Sequence, residues 1–447
     1  MTTVTTTMPA PGSASPPPLP RSDLRATLAR AERRRKLVAV GLTLPLLVFL
    51  LLTLLVPIGA LLIRAVENPE VANALPRTGS ALAAWDRKTE PPAAAFAAFA
   101  TDLNKLAESA EAGALARRLN SEVAGARSLV MGTFKASNEL VAPPDAATAD
   151  ATAPASAAAK GTATATPELI RERMLALDAR WSELKYWQAI AKNAKRYTPD
   201  YLLAAVDLRR SAAGDVERMP DDQRVFGRIL LRTFNISGVV TLACLLLAYP
   251  LAYWLSILPA RKANLLLIVV LVPFWTSILV RVAAWIVLLQ REGLVNKALM
   301  QISVIQEPLA LLFNRTGVVI AMVHILLPFM ILPLYSVMKA VPPTYVRAAV
   351  SLGSPPLAAF FRVYVPQTYA GVGAGALLVF ILSIGYYVTP ALLGGADDQM
   401  LSYYIAQYTN VEVNWGMACA LGGVLLAATL ALYGVYRRFS GAELSLG

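Results

Sequence analysis

Histidine is almost missing from this chain: His324 is the only one among 447 residues. A Ser/His/Asp triad or a zinc hydrolase site needs a His beside a nucleophile or further ligands, and "AMVHILLPF" offers neither. A lone His inside an apolar run can mark a proton path, but without an acidic or Cys neighbour it reads as packing. The two cysteines, Cys244 and Cys419, both fall within apolar runs, so they form neither a disulfide framework nor a metal-ligand spacing. Charge is scarce as well, with 16% charged residues against 56% hydrophobic, a balance that excludes an ordinary soluble domain. No G-x-x-x-x-G-K-[ST] phosphate loop occurs. No catalytic residue, metal or other cofactor is expected. Energy for any uphill transport must then come from another chain or from an ion gradient.

What charge there is sums to +12. It gathers beside apolar runs, as "RRRK" at 33–36, Arg261-Lys262 and Arg437-Arg438, without interleaved aromatics or a recognisable module, so nucleic acid is not an expected partner. Six runs reach the roughly 20 residues that a bilayer demands: 37–63, 229–258, 264–290, 316–338, 368–394 and 415–436. Arg30, Arg33, Arg34, Arg35 and Lys36 precede the first, which places the amino end in the cytoplasm. Alternation then puts Arg261-Lys262, segment 339–366 and the carboxyl end on the same side, and Asp397, Asp398 and Glu412 outside. The Thr-, Pro- and Ser-rich start and basic stretch, 1–36, read as a disordered cytoplasmic tail. The first run lies too far in and is too long for a cleaved leader, so it is expected to stay as an anchor.

Between the first two runs, 64–228 form a large insert that this topology places outside. Phe96, Phe99, Leu103, Leu106 and Ala110 recur at helical spacing, as do Ile170, Met174, Leu177, Trp181, Leu184 and Gln188. Each set predicts a helix with one narrow apolar stripe. The stripes either pack on each other or face a partner. Segment 142–166, "APPDAATADATAPASAAAKGTATAT", is too small and polar to bury anything and reads as a flexible linker. The expected fold is an all-α polytopic membrane protein of six transmembrane helices, with an α-helical extracytoplasmic insert and a core over 229–440.

Within the core, Gly371 and Gly375 form a small-xxx-small pair suited to close helix approach. Pro45, Pro250, Pro273, Pro328, Pro333 and Pro390 interrupt the apolar runs, and each removes a backbone donor that something else must replace. Arg281, in "PFWTSILVRVAAWIVLL", falls deep in the third run and needs protein or a wet cavity beside it.

The stretch "TYVRAAVSLGSPPLAAFFRVYVP" at 344–366 predicts two short helices at a sharp angle. Pro342-Pro343 start the first and Gly353 ends it in the left-handed conformation. Ser354 is the expected N-cap of the second, with Pro355 at its first position, and Pro366 closes the unit. Ala348 and Ala349 flatten one side, while Phe360 and Phe361 are available to anchor the other.

A-A-x-x-L-G, with Phe and Pro seven and thirteen residues after the Gly, resembles the EAA loop of ABC-transporter inner-membrane permeases. Ala348, Ala349, Leu352, Gly353, Phe360 and Pro366 carry the match. Arg347 stands where that family usually has Glu, and Ser351 where Asp is common. "VPFWTSILVRVAAWIVLLQREGLVNKAL" (272–299) and "GYYVTPALLGG" (385–395) are similar to the spermidine/putrescine branch. The resemblance implies a non-catalytic permease subunit of a binding-protein-dependent (MetI-like) importer in a bacterial inner membrane. It implies cytoplasmic ABC ATPase subunits, a second permease subunit and an extracytoplasmic solute-binding protein as partners, with lipid around the spans. Segment 339–366 is then the coupling loop, with Arg347 at its family-variable position. Trp275, Arg281, Tyr386 and Tyr387 are translocation-path candidates; the aromatic faces suit an alkylammonium, whereas Arg281 would repel a polycation. Two other classes remain open. A membrane sensor would need an output module, for which the residues after 436 leave little room, and an ion-coupled secondary transporter would need buried acids that the spans lack.

Overall fold

Apolar runs become helices because a helix satisfies each backbone group within its own segment, which a lipid-facing chain requires. A computed structural model describes residues 21–106, 109–143, 165–211 and 215–443. Four helices are long and apolar enough to cross a membrane: Arg33–Arg64, Phe226–Ile257, Arg315–Ala340 and Trp415–Arg438. Two bent pairs bring the number to six if each is one crossing: Ala260–Trp275 with Ile278–Gln301, at 95°, and Pro356–Gln367 with Tyr369–Gly385, at 60°.

The chain divides into two units, residues 1–60 and 61–447. In the first, helix Arg21–Arg64 begins well before the apolar run. The disorder expected over 1–36 is thus replaced by helix from Arg21 onward, since Arg, Ala, Leu and Glu are strong helix formers; residues 1–20 lie outside the described residues.

In the second unit, the helical core is built on three helices packed in sequence: Phe226–Ile257 on Arg315–Ala340, and that on Tyr369–Gly385. Ile236, Val240, Cys244, Ala248 and Ala252 make one buried face of the first, while Leu242, Leu246 and Leu247 remain exposed as a hydrocarbon surface. Gly371 and Gly375 lie flush against the middle helix. A Cβ at Gly371 would stand 3.0 Å from Val337 Cβ, and one at Gly375 2.8 Å from Met330 Sδ. Most of the prolines do not break the spans. Pro45, Pro250, Pro328 and Pro333 sit inside continuous helices. Pro273 lies at the 95° bend, where Val272–Trp275 is a 3-10 turn and Thr276 is extended. There the Thr276 hydroxyl donates to the Pro273 carbonyl at 2.8 Å. The continuous crossing expected over 264–290 is therefore a bent pair.

The insert has its own aromatic core. Phe96, Phe99 and Leu103 are buried with Ile170, Met174 and Trp181, so the two stripes pack on each other. Trp187, at the centre, lies 4.4 Å from Phe96 and 5.2 Å from Trp181, ring to ring. The polar edges are satisfied: Trp181 Nε1 donates to Thr133 Oγ1 and Trp187 Nε1 to the Trp181 carbonyl. The stripes are shorter than their spacing predicts. Ala110 and Leu177 are exposed, because one helix stops at Lys105 and the other at Leu177. Asp178 is extended, and its carboxylate accepts from Arg180 N–H to open a fresh turn. Residues 144–164 of the expected linker lie outside the described residues. A small antiparallel ribbon, Leu208–Arg210 with Val216–Arg218, interrupts the all-α pattern; three residues a side leave no periodicity to read.

That ribbon delivers Asp207 to the start of helix Phe226–Ile257. One carboxylate oxygen accepts from Val225 and Phe226 N–H at 3.0 and 2.9 Å, the other from Gly227 N–H at 2.7 Å. Three donors that the helix cannot use internally are thus met by an anion, which the helix dipole also favours. Nearby, Glu122 accepts from Arg118 and Lys192, both at 3.0 Å. Burial alone would raise its carboxyl; the two cations outweigh burial and hold it below the ordinary range. Arg118 also lies over the Tyr201 ring at 4.7 Å, and burial pushes that phenol up to about 12.

Asp207→Ala is expected to cost roughly 1–2 kcal/mol by removing the cap, read as a lower thermal midpoint of the detergent-solubilised chain. Because the folded Glu122 lies below its ordinary value near 4.5, its contribution is present above that pH and is lost as pH falls through the folded value. Glu122→Gln should flatten the acid limb of a tryptophan-fluorescence stability profile; an unchanged limb would contradict the pairing.

Candidate functional site

Helix Arg315–Ala340 ends on two prolines, and Pro343 caps the short helix Thr344–Ser351. Gly353 closes it at φ +93, with Ser354 N–H donating to the Ala349 carbonyl at 3.1 Å. This is the left-handed closure expected at Gly353, a conformation that costs other residues a clash between Cβ and carbonyl. The second helix starts one residue later than its sequence suggests. Pro355 is extended and acts as the cap, and Pro356 is the first helical residue of Pro356–Ala359. Pro355 cannot be helical easily, because the following proline ring disfavours the α region for it.

Nor does Pro366 close the unit. The chain runs through a π turn, Phe360–Tyr364, into Val365–Gln367, and bends only at Thr368. Pro366 offers no N–H, so the backbone widens: Val365 N–H reaches the Phe360 carbonyl, and Gln367 Nε2 donates to the Val363 carbonyl at 2.7 Å.

The unit is anchored by aromatics from the core. Phe360 packs edge-on against Tyr253 at 5.2 Å and stacks on Tyr364 at 5.4 Å, while Tyr253 meets Tyr364 at 5.2 Å. Tyr249, one turn before Tyr253, places its hydroxyl 3.0 Å from Thr368 Oγ1 at the bend. Lys339 Nζ donates to the Ser256 and Leu258 carbonyls, tying the end of helix Phe226–Ile257 to the root of the unit. Phe361 is not an anchor; it points outward, 64% exposed. Leu352 and Leu357 project with it, 89% and 74% exposed. Arg347 and Ala348 are exposed, Ala349 is half-buried, and Pro366 is exposed. The anchoring residues Tyr249, Tyr253, Tyr364, Thr368 and Lys339 escaped the sequence reading. The one available signal was the i, i+4 spacing of Tyr249 and Tyr253 on a single helix face.

Among the pathway candidates, Arg281 sits on helix Ile278–Leu289, which packs on Val388–Leu393, the turn that follows Tyr386 and Tyr387. Trp285, one turn after Arg281, donates from Nε1 to His324 Nδ1 at 3.2 Å, so this histidine is a hydrogen-bonded packing residue. Among the described residues, Arg281 Nε is buried without a hydrogen-bond partner, as are the hydroxyls of Ser383 and Thr389 on either side of Tyr386. Trp275 and Tyr387 are exposed, at 77% and 43%. Helix Tyr369–Gly385 stops at Tyr386, whose carbonyl accepts from Ser402 Oγ at 2.7 Å, so the apolar run 368–394 is broken there. Beyond it, Asp398 accepts from Arg315 Nε at 3.1 Å and pins the loop to the start of helix Arg315–Ala340.

The family described as "Binding-protein-dependent transport system inner membrane component" matches residues 228–442, which leaves the insert outside the match. The spermidine/putrescine transport system permease protein PotB of Escherichia coli K12 is 35% identical over 217 residues, 48% of this chain and 78% of the relative. PotB of Haemophilus influenzae is 35% identical over 208 residues, 46% and 73% of the two chains. A putative 2-aminoethylphosphonate transport system permease protein, PhnU of Salmonella paratyphi A, is 24% identical over 51% of this chain and 81% of its own. A solved bacterial alginate ABC transporter, in complex with an alginate pentasaccharide-bound periplasmic protein, shares 17% identity at a TM-score of 0.40, over 48% of this chain and 78% of that one. The chain belongs to the inner-membrane components of binding-protein-dependent transport systems.

Proposed function

We propose that the chain is the permease subunit of an ATP-driven importer for a polyamine such as spermidine or putrescine. The single observation that supports the mechanism is the anchored, proline-walled unit 339–366, which presents Leu352, Leu357 and Phe361 outward from a rigid aromatic root. Each bent pair counts as one crossing, giving six. Both termini and the 339–366 unit face the cytoplasm; the insert and the Asp397-Asp398 loop face outward. ATP hydrolysis belongs to separate subunits that receive the unit in a groove, and Arg347 and Arg362, both exposed, call for acidic residues there. A second permease subunit completes the path, and an external solute-binding protein delivers the cargo. Closure of the ATPases pulls on the unit, and the pull reaches the spans through Tyr249, Tyr253 and Lys339. The two packings must differ in their affinity for the partners if ATP is to bias them.

The named relatives at 35% identity favour a polyamine. One observation favours another cargo: the buried Nε of Arg281, without a hydrogen-bond partner among the described residues, suits an anionic group such as a phosphonate. Uptake into cells separates the two. Excess unlabelled spermidine should abolish transport of labelled putrescine while 2-aminoethylphosphonate leaves it untouched; the reverse pattern would assign the anionic cargo.

Gly353→Val tests the coupling. A Cβ at Gly353 meets nothing within 4 Å, so the substitution acts only through the positive φ. A left-handed residue costs about 1–2 kcal/mol, which lowers occupancy of the docked turn by roughly 5–30-fold. Uptake and copurification of the ATPase should fall together, with Gly353→Asn milder. Wild-type values for both would remove the coupling role.

A further inference from the structure

An open cleft of about 880 Å³ lies in the insert, between the loop at 85–88 and the helix Leu184–Asn193. Six cationic side chains line it: Arg87, Lys88, Lys185, Lys192, Lys195 and Arg210. Only two carboxylates face them, and both are engaged. Asp86 accepts from the backbone N–H groups of Lys88 and Thr89, and Glu122 from Arg118 and Lys192. Arg210 is paired with Asp200, and Lys185 with Glu183. Arg87, Lys88 and Lys195 form no ion pair among the described residues. Unpaired cations around a low-dielectric concavity focus a positive potential into it.

The cleft is built rather than incidental. Arg87 takes φ +64, a costly conformation for arginine, and Gln188 Nε2 holds it there by donating to the Arg87 carbonyl at 2.8 Å. Trp85 fixes the same loop by donating from Nε1 to the Thr89 carbonyl at 3.0 Å. The helix opposite is rooted in the aromatic core through Trp187 and Ile190. Lys192 and Arg210 also line a second cleft of about 780 Å³, which Tyr408, Glu412 and Asn414, just before the last span, and Met417 at its start line as well. A body seated in the first cleft therefore lies beside the end of the transport core.

We propose that this basic cleft is a docking surface for the acidic face of the system's own solute-binding protein. The proposal rests on the permease reading and on the outward placement of the insert. The positive field repels a polycationic cargo, which separates the cleft from any path for that solute. It attracts a carboxylate-bearing protein surface, steering encounter and fixing orientation. The cleft is open and its free cations come from two separate segments, which suits a broad acidic face better than one small anion.

The test uses the intact transporter in lipid nanodiscs with its purified solute-binding protein. Affinity and binding-protein-stimulated ATP hydrolysis are measured at low and high salt for the wild type, for Arg87→Glu/Lys88→Glu/Lys195→Glu, and for the milder Gln triple. A control, Arg127→Glu/Lys135→Glu, reverses exposed charge elsewhere on the insert, and tryptophan fluorescence confirms that each variant is folded. The proposal expects the Glu triple to weaken binding by at least about tenfold at low salt, with a flattened salt dependence, the Gln triple to fall between, and the control and basal hydrolysis to stay at wild-type values. Unchanged affinity and salt slope in a folded Glu triple overturn the docking surface and leave the permease function standing. Loss of binding to phosphatidylglycerol vesicles, with partner affinity intact, also overturns it and assigns the cleft to lipid. A wild type that never responds to the binding protein overturns the permease reading and the docking surface together.

Discussion

A backbone group left without a partner in an apolar setting is expensive, and this chain repeatedly stops its helices where the setting is apolar. Several of these stops are met by a specific acceptor or donor. Asp207 takes three N–H groups at the start of helix Phe226–Ile257, and Lys339 donates to two carbonyls at its end, Ser256 in the last turn and Leu258 just past it. Thr276 repairs the 95° bend, Ser402 takes the carbonyl freed at Tyr386, and Gln367 covers for Pro366. Breaks paid in this way can be rigid. Rigid breaks are what a machine needs if a pull at one end is to move the other.

The same logic divides the molecule by task. The helix trio centred on Arg315–Ala340 is close-packed, with glycines admitting the third helix, and it makes a stiff body. The 339–366 unit hangs from that body by aromatic contacts and one lysine, while its outer ridge of Leu352, Leu357 and Phe361 stays uncovered. The insert has a core of its own, centred on two Trp and two Phe rings, and meets the transport core through Asp207 and Tyr201.

Parts of this were legible in advance. Apolar length and the scarcity of charge predict a multi-span helical protein, and the A-A-x-x-L-G run with its prolines predicts a helix, a left-handed glycine and a second helix. The small errors have local causes. Ser354 looked like a cap because Ser is a good one, but two consecutive prolines shift the start by a residue. Pro366 looked like a stop because proline usually is one, but a π turn absorbs the missing donor. Phe361 and Phe360 are indistinguishable by composition, and only the position of Tyr253 decides that Phe360 turns inward.

By itself the sequence determined that the chain crosses a membrane, where its polar and small residues interrupt the crossings, and that residue 353 must be left-handed, because length, hydropathy and backbone sterics are local properties. Tertiary structure alone decided that Asp207 caps a helix beginning at Phe226, that the helix carrying Arg281 packs on Val388–Leu393, and that Arg87, Lys88 and Lys195 face one cleft. Those pairings join residues far apart in the chain, and no periodicity or propensity records which distant partner satisfies a given donor or charge.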